Sequence, residues 1–218
     1  MFRDREEAGE RLIPLLKVYR QQPGVLVLAI PRGGVAVGLV VAKKLNLPFG
    51  VLVVRKLGYP GNPEFAVGAV DSDGEYVLGE EFVEEGIAQT AAFQQVLRRE
   101  LTEVRRRVQL FNPLPWDVAN KTVVVVDDGI ATGQTNLAAV KYLQRHGAKE
   151  VIVAAPVASL EAVELLKSAG AQTVVLETPA TFMAVGQFYE YFPQLTDETV
   201  LAIINLHNRK HQVKWKIN

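Results

Sequence analysis

The chain has 218 residues, of which 49% are hydrophobic, a composition typical of one α/β domain with a sizeable core. Its 24 Lys and Arg residues balance its 24 Asp and Glu residues, so no net charge favours binding to nucleic acid or to a membrane surface. The lack of cysteine excludes disulfides, thiolate zinc sites and cysteine nucleophiles. No apolar run could span a bilayer, and the charged start MFRDREE does not resemble a signal peptide. We therefore expect a soluble, cytoplasmic protein.

The first part of the chain alternates helical and strand patterns. Apolar residues at helical spacing predict helices over 5–20 and 34–45, and apolar runs predict strands over 25–30 and 50–54. The segment 58–79 is rich in Gly and Pro and contains short β-like runs, which indicates a loop or hairpin that can move.

Residues 80–110 predict one long helix, because apolar residues recur there at helical intervals. Its first turns carry Glu80, Glu81, Glu84 and Glu85, and its later turns carry Arg98, Arg99, Arg105, Arg106 and Arg107. Acids early and bases late complement the helix dipole. The Arg cluster fits a solvated or interface face better than a nucleic-acid patch, since the chain is neutral overall. The segment 112–115, Asn-Pro-Leu-Pro, is predicted to end this helix.

The second part of the chain predicts a parallel sheet. Strand-like runs alternate with amphipathic helical patterns, and such alternation is typical of right-handed βαβ units. The predicted strands are 122–126, 151–156 and 173–176, and the predicted helices are 134–146, 160–169 and 197–209.

The stretch VVVVDDGIATGQT, residues 123–135, carries the clearest functional signal. Four valines predict a buried strand, which ends in Asp127 and Asp128 at the sheet edge where α/β proteins bind ligands. A loop with two glycines and two threonine hydroxyls follows, and a helix then begins, so that backbone amides and the helix dipole can bind an anion. The carboxylates suit neutral hydroxyl donors beside that anion. The pattern indicates a sugar-phosphate site.

Other readings of this stretch fit less well. A Walker A loop needs four residues between its glycines and then Lys, whereas three residues separate Gly129 from Gly133 and Gln134 follows. The G-x-G-x-x-G dinucleotide fingerprint is absent. An Asp pair also occurs at the metal site of receiver domains, but after the first strand of that fold. A purely structural strand-turn-helix stays possible.

Residues 126–135, VDDGIATGQT, resemble the phosphoribosyl-pyrophosphate (PRPP) motif of type I phosphoribosyltransferases. The segments FRDREEAG, PRGG and VRKLGYPGNPEFAVGAV are similar to a subgroup of predicted bacterial phosphoribosyltransferases of unassigned substrate. The resemblance implies a Rossmann-like α/β fold with a central, mostly parallel sheet flanked by helices. It also implies one domain over 1–218, with a flexible β-loop lid at about 58–79, an inserted long helix at about 80–111, and a small hood at about 178–195 plus the termini.

The resemblance also implies roles for individual residues. The implied PRPP-binding residues are Arg32, Gly33, Gly34, Asp127, Asp128, Gly129, Ile130, Ala131, Thr132, Gly133, Gln134 and Thr135. The implied catalytic residues are Asp127, Asp128, Arg55, Lys56 and Glu64. Taken alone, the Arg32-Gly33-Gly34 turn is equally well an ordinary strand-to-helix turn, and Glu64 matches the lid Glu of the adenine enzymes only loosely.

The function implied is Mg²⁺-dependent transfer of a phosphoribosyl group from PRPP to a nitrogen acceptor, with a nucleobase in nucleotide salvage as the leading acceptor. Mg²⁺ is expected to bind through PRPP and water rather than directly to the protein, and a homodimer is expected. Ala131 replaces the Asp of the 6-oxopurine enzymes, which argues against hypoxanthine or guanine as acceptor. A PRPP sensor without transferase activity, a phosphoribosyl hydrolase and a transferase with another acceptor stay open.

Aromatic residues near the C-terminus allow two interpretations. They can stack on a flat ring, or they can pack the end of the sheet or a dimer interface, and the sequence favours neither. They are Phe182, Phe188, Tyr189, Tyr191 and Phe192.

Overall fold

A computed structural model describes residues 1–111 and 116–211, without the side chains of 64 and 207–211. The helices are α1 (Arg5–Leu16), α2 (Gly33–Leu45), α3 (Glu80–Glu84), α4 (Ala91–Phe111), α5 (Gln134–Arg145), α6 (Leu160–Ser168) and α7 (Asp197–His211). The strands are β1 (Val25–Ala29), β2 (Phe49–Val51), β3 (Arg55–Tyr59), β4 (Asn62–Val70), β5 (Tyr76–Leu78), β6 (Thr122–Val126), β7 (Glu150–Val157) and β8 (Gln172–Glu177). None of these helices is both long and apolar enough to cross a membrane.

The central sheet is parallel, with the strand order β2-β1-β6-β7-β8. Its middle strand is β6, whose four valines are fully buried and alternate between two hydrophobic cores. Val124 and Val126 pack with residues of α1, α2 and α4, whereas Val123 and Val125 pack with residues of α5 and α6. The predicted α/β class and parallel sheet are thus confirmed.

A separate antiparallel sheet, β3-β4-β5, forms between β2 and α3. The segment 58–79 therefore contains a hairpin, one of the two predicted alternatives. The predicted end of the second core strand at residue 54 is wrong, because β2 stops at Val51, and Arg55 and Lys56 begin β3 of the small sheet. Their pairing partners are Val70 and Ala69 of β4, across the small sheet.

The predicted single helix over 80–111 is interrupted. α3 ends at Glu84, a 3₁₀ turn covers Ile87–Gln89, and α4 begins at Ala91. Gly86 breaks the helix with a left-handed φ of 66°, a conformation that glycine adopts without a Cβ penalty. The Thr90 side chain then accepts a hydrogen bond from the Phe93 amide at 3.2 Å, as an N-cap does. The predicted helix stop at 112–115 lies outside the described residues.

Charged side chains join α4 to α7. Glu103 accepts hydrogen bonds from Arg106 at 2.7 Å and from Arg107 at 2.8 Å, and both arginines also pair with Asp197 at the start of α7. The hydrogen bond from Arg106, opposed by partial burial and reinforced by the charges of both arginines, lowers the pKa of Glu103 from 4.5 to about 2. Arg106 and Arg107 thus take part in intramolecular ion pairs.

We expect Glu103→Gln to lower the melting temperature by about 2–4 °C near neutral pH, or about 1 kcal/mol. Because the folded pKa is depressed to about 2, the stability that the ionised Glu103 contributes is present above pH 4.5 and is lost as the pH falls toward about 2. The difference in melting temperature between parent and variant should therefore shrink on acidification in a pH series of thermal melts. A difference that grew below pH 4.5 would contradict this assignment. The control is Glu164→Gln, at an exposed position of α6.

Candidate functional site

The loop between β6 and α5 presents unoccupied hydrogen-bond donors. The amides of Ala131, Thr132 and Gly133 donate to no group in the described chain, nor do the hydroxyls of Thr132 and Thr135. Ala131 and Thr132 are exposed, and α5 starts directly after Gly133, which has a φ of 76°. Free amides before a helix N-terminus form a concave site suited to an anion such as phosphate.

The loop is held in place from the neighbouring strand. Ile130 forms an isolated parallel bridge with Ala158, after the end of β7. The Ser159 hydroxyl donates to the Ala131 carbonyl at 2.7 Å and accepts from the Ala162 amide at 3.0 Å, which caps α6. One serine therefore links the loop after β6 to the start of α6.

A glycine turn after β1 packs directly against the acidic pair. A Cβ on Gly33 would lie 1.7 Å from Oδ2 of Asp128, and one on Gly34 would lie 2.9 Å from Cα of Asp127. The peptide bond between Pro31 and Arg32 in this turn is cis. The guanidinium of Arg32 forms no salt bridge within the described residues. The two segments proposed to bind PRPP thus meet at the ends of adjacent strands.

The carboxyl group of Asp127 accepts hydrogen bonds from its own loop and from α5. Its Oδ1 accepts from the Asp128 amide at 2.9 Å, and its Oδ2 accepts from the side-chain amide of Asn136 at 3.3 Å. Burial, followed by the nearby charge of Asp128, raises the pKa of the Asp127 carboxyl well above its ordinary value. The two acids therefore form an interacting pair.

Asp128 is held by residues from both ends of the chain. Its Oδ2 accepts from Nε of Arg5 at 2.8 Å, and its backbone carbonyl accepts from the Tyr189 hydroxyl at 2.6 Å. Burial, with the charge of Asp128 adding to it, raises the pKa of Tyr189 far above its ordinary value, so this hydroxyl stays a donor.

The predicted basic pair is not brought into contact with the acidic pair. Arg55 donates from Nε at 2.9 Å and from Nη2 at 2.5 Å to Oε2 of Glu100, a buried acid on α4. Arg99 binds the other oxygen of Glu100 at 3.0 Å. Lys56 is exposed, and the side chain of Glu64, on β4, lies outside the described residues.

The aromatic residues near the C-terminus mostly pack together. Tyr189 is buried against Phe2, with ring centroids 5.4 Å apart, and against Phe192, at 4.7 Å. Phe182 and Phe188 pair at 5.2 Å beside the same cluster. Tyr191 remains 66% exposed. The packing interpretation therefore accounts for four of the five, and this cluster covers the end of the sheet beside Asp128.

The described chain contains no group of three or more His, Asp or Glu side chains arranged to hold a metal ion. The loop instead offers two adjacent carboxylates, and Arg5 already binds one of their oxygens. This donor set fits a cation that completes its coordination with ligand oxygens and water better than one bound in a protein cage.

Sequence reasoning missed Arg5, Asn136 and Ser159. Asn136 directly follows the motif, so extending the motif by one residue would have found it. Arg5 lies in the FRDREEAG segment, which carried the resemblance, but its partner is 123 residues away. No local pattern indicates such a contact.

The chain is similar to several known proteins. Residues 15–175 match the family model of the phosphoribosyl transferase domain. Two proteins from strains of Mycobacterium tuberculosis, provisionally named phosphoribosyl transferases, are 40% identical over 215 residues, or 96% of this chain and 47% of each relative. The chain thus spans about half the length of the curated relatives it matches. The crystal structure of TT1426 from Thermus thermophilus aligns with a TM-score of 0.76 at 40% identity, covering 93% of this chain and 97% of that one.

Proposed function

Because the chain belongs to the phosphoribosyl transferase domain family, we propose that it transfers 5-phosphoribosyl from PRPP to a nitrogen acceptor, preferably a nucleobase, and releases pyrophosphate. The supporting observation is the packing of the glycine turn against Asp127 and Asp128, beside a loop of free amides. We further propose a cytoplasmic homodimer that acts on small molecules in nucleotide salvage and binds neither nucleic acid nor membranes.

In this proposal each part of the site binds one part of PRPP. The free amides of residues 131–133 and the N-terminus of α5 bind the 5-phosphate, since amides and helix dipole favour an anion there. Asp127 and Asp128 accept hydrogen bonds from the ribose hydroxyls. Arg32 and the adjoining glycine turn bind pyrophosphate, because guanidinium and closely approached amides suit phosphate oxygens.

The reaction breaks the bond between ribose C1 and the pyrophosphate oxygen, and the bonding electrons leave with pyrophosphate. The lone pair of the acceptor nitrogen forms the new bond to C1, and that nitrogen loses its proton. Glu64 is our candidate to receive it. Positive charge develops on the ribose ring, as in glycoside cleavage, and the carboxylates of Asp127 and Asp128 stabilise it. When bound through PRPP oxygens and water, Mg²⁺ would supply positive charge to offset the negative charge of the departing pyrophosphate.

Arg55 and Lys56 are proposed to bind pyrophosphate when the hairpin of β3 and β4 closes over the site and excludes water. For Arg55 this requires exchange of Glu100 for a phosphate oxygen, because Glu100 now accepts both of its hydrogen bonds.

The same ion pair favours a second candidate function, a PRPP sensor without transferase activity. If Arg55 stays paired with Glu100, the site can bind PRPP through the loop after β6 while Arg55 makes no contact with the pyrophosphate group.

An assay of pyrophosphate release distinguishes the transferase from the PRPP sensor. Protein, PRPP and Mg²⁺ are incubated with each of a panel of bases, and pyrophosphate is assayed alongside PRPP binding. The transferase proposal predicts release with at least one base, with adenine preferred over hypoxanthine and guanine because Ala131 lacks a proton acceptor. PRPP binding with no release across the panel would support the sensor.

A further inference from the structure

Arg5 is a buried arginine fixed on several sides. It lies at the start of α1 and is only 9% exposed, whereas arginine is rarely buried without a partner. Its Nε donates to Asp128, its Nη1 donates to the Pro193 carbonyl at 2.8 Å, and its guanidinium lies 3.8 Å from the centroid of the Phe192 ring. The side chain therefore has little freedom to turn elsewhere.

These contacts join three separate parts of the chain at one carboxylate. α1 supplies Arg5, the segment after the last described 3₁₀ turn supplies Phe192 and Pro193, and the end of β6 supplies Asp128. The Asp128 side chain is 14% exposed and that of Arg5 is 10% exposed, so water screens this ion pair weakly. Gly33 packs directly against the same carboxylate.

Arg5 also supplies a positive charge where two negative charges are adjacent. Among the salt bridges of the described residues, Arg5 is the cation that contacts this acidic pair. Asp127 is held by neutral donors only, the Asn136 side chain and the Asp128 amide. Removal of Arg5 would leave the two carboxylates to repel each other in a partly buried site.

We propose that Arg5 is a positioning residue that fixes Asp128 for the ribose hydroxyls of PRPP. It binds Oδ2 and leaves Oδ1 for a hydroxyl donor, so the carboxylate meets the ligand in a set orientation. The proposal rests on the proposed function, because it requires PRPP at Asp128. It assigns the N-terminal helix to the PRPP site, although this helix lies outside the PRPP motif.

The test is titration calorimetry with PRPP and Mg²⁺ on the parent, Arg5→Met, Asp128→Asn and the variant with both changes. Arg5→Met should weaken PRPP binding about tenfold or more, from the loss of a charge-assisted hydrogen bond. Because Arg5 acts through Asp128, adding Arg5→Met to Asp128→Asn should change the affinity less than about twofold. A merely structural arginine would lower the melting temperature without this pattern of coupling.

Matched variants keep the test decisive. Arg11→Met removes an exposed arginine from the same helix and should leave PRPP affinity unchanged. Arg5→Lys keeps the charge and should restore part of the affinity lost in Arg5→Met; if Arg5→Met does not fold, Arg5→Lys should bind PRPP less tightly than the parent.

Three results would overturn the proposal. The first is parental PRPP affinity in a folded Arg5→Met or Arg5→Lys variant. The others are additive losses of PRPP affinity in the variant that combines Arg5→Met with Asp128→Asn, and a loss in Arg11→Met equal to that in Arg5→Met. A parent that did not bind PRPP would overturn the proposed function itself, and that outcome is distinct from a parent that binds while Arg5 proves irrelevant.

Discussion

The double variant Asp127→Asn, Asp128→Asn is expected to lose PRPP binding while it remains folded. Each carboxylate would accept a charge-assisted hydrogen bond from a ribose hydroxyl, worth about 1.5–3 kcal/mol. Loss of both should weaken PRPP binding by at least about a hundredfold in titration calorimetry. The fold should persist because asparagine keeps the shape of aspartate. Removal of the charges also eliminates the cost of burying a charged Asp127 and its repulsion by Asp128, the two effects that raise the pKa of Asp127.

The control for this variant is Asp117→Asn, which removes an exposed carboxylate near the other end of β6. It should bind PRPP like the parent. Unchanged PRPP affinity in the double variant, with a native circular dichroism spectrum, would contradict the assignment of the acidic pair to the ribose.

Gly34→Ala is expected to destabilise the fold more than its neighbour Gly33→Ala. A Cβ on Gly34 would lie 2.6 Å from the Val126 carbonyl oxygen and 2.9 Å from Cα of Asp127, and both are backbone atoms at the end of a core strand. Neither atom can move without distorting β6. We expect a loss of about 3 kcal/mol in the free energy of unfolding, or about 6–12 °C in melting temperature. The loss is diagnostic because Gly→Ala in a helix is otherwise stabilising.

Gly33→Ala provides the matched comparison. Its Cβ would meet the carboxylate of Asp128, which is a side chain and can rotate away. We therefore expect a smaller loss of stability than in Gly34→Ala, because only the Arg5–Asp128 ion pair is broken, and PRPP binding weakened about tenfold or more, because Asp128 would leave the orientation that Arg5 fixes. Thermal melts and calorimetry on both variants separate the two effects. Equal stability of Gly33→Ala and Gly34→Ala would contradict the packing described.

The sequence predicted the central sheet well because its signals are local. Four valines followed by Asp127 place a buried strand and its end without any tertiary information. The break at Gly86 escaped prediction because apolar residues on both sides continue the helical spacing, so the pattern concealed the interruption. The true end of β2 was missed for a related reason, since the apolar run continues past Val51 into the connection to β3.

The parts of the candidate site that could be predicted are those formed by a continuous stretch of sequence. The loop at 127–135 is contiguous, and the glycine turn was located by its position after a strand. The Arg5–Asp128 and Arg55–Glu100 contacts join residues 123 and 45 positions apart, so they depend on helix packing that no local spacing encodes. Composition showed that arginines were present, but the fold decides which carboxylate each one binds.

The central claim, that the loop after β6 is a PRPP site, is tested most directly by titrating the parent protein with PRPP in the presence of Mg²⁺. We predict saturable binding at one site per chain, with a dissociation constant below about 1 mM, as for typical substrates of enzymes. Ribose 5-phosphate should bind more weakly, because it lacks the pyrophosphate that the glycine turn would hold. No heat of binding and no thermal stabilisation by PRPP would contradict the account.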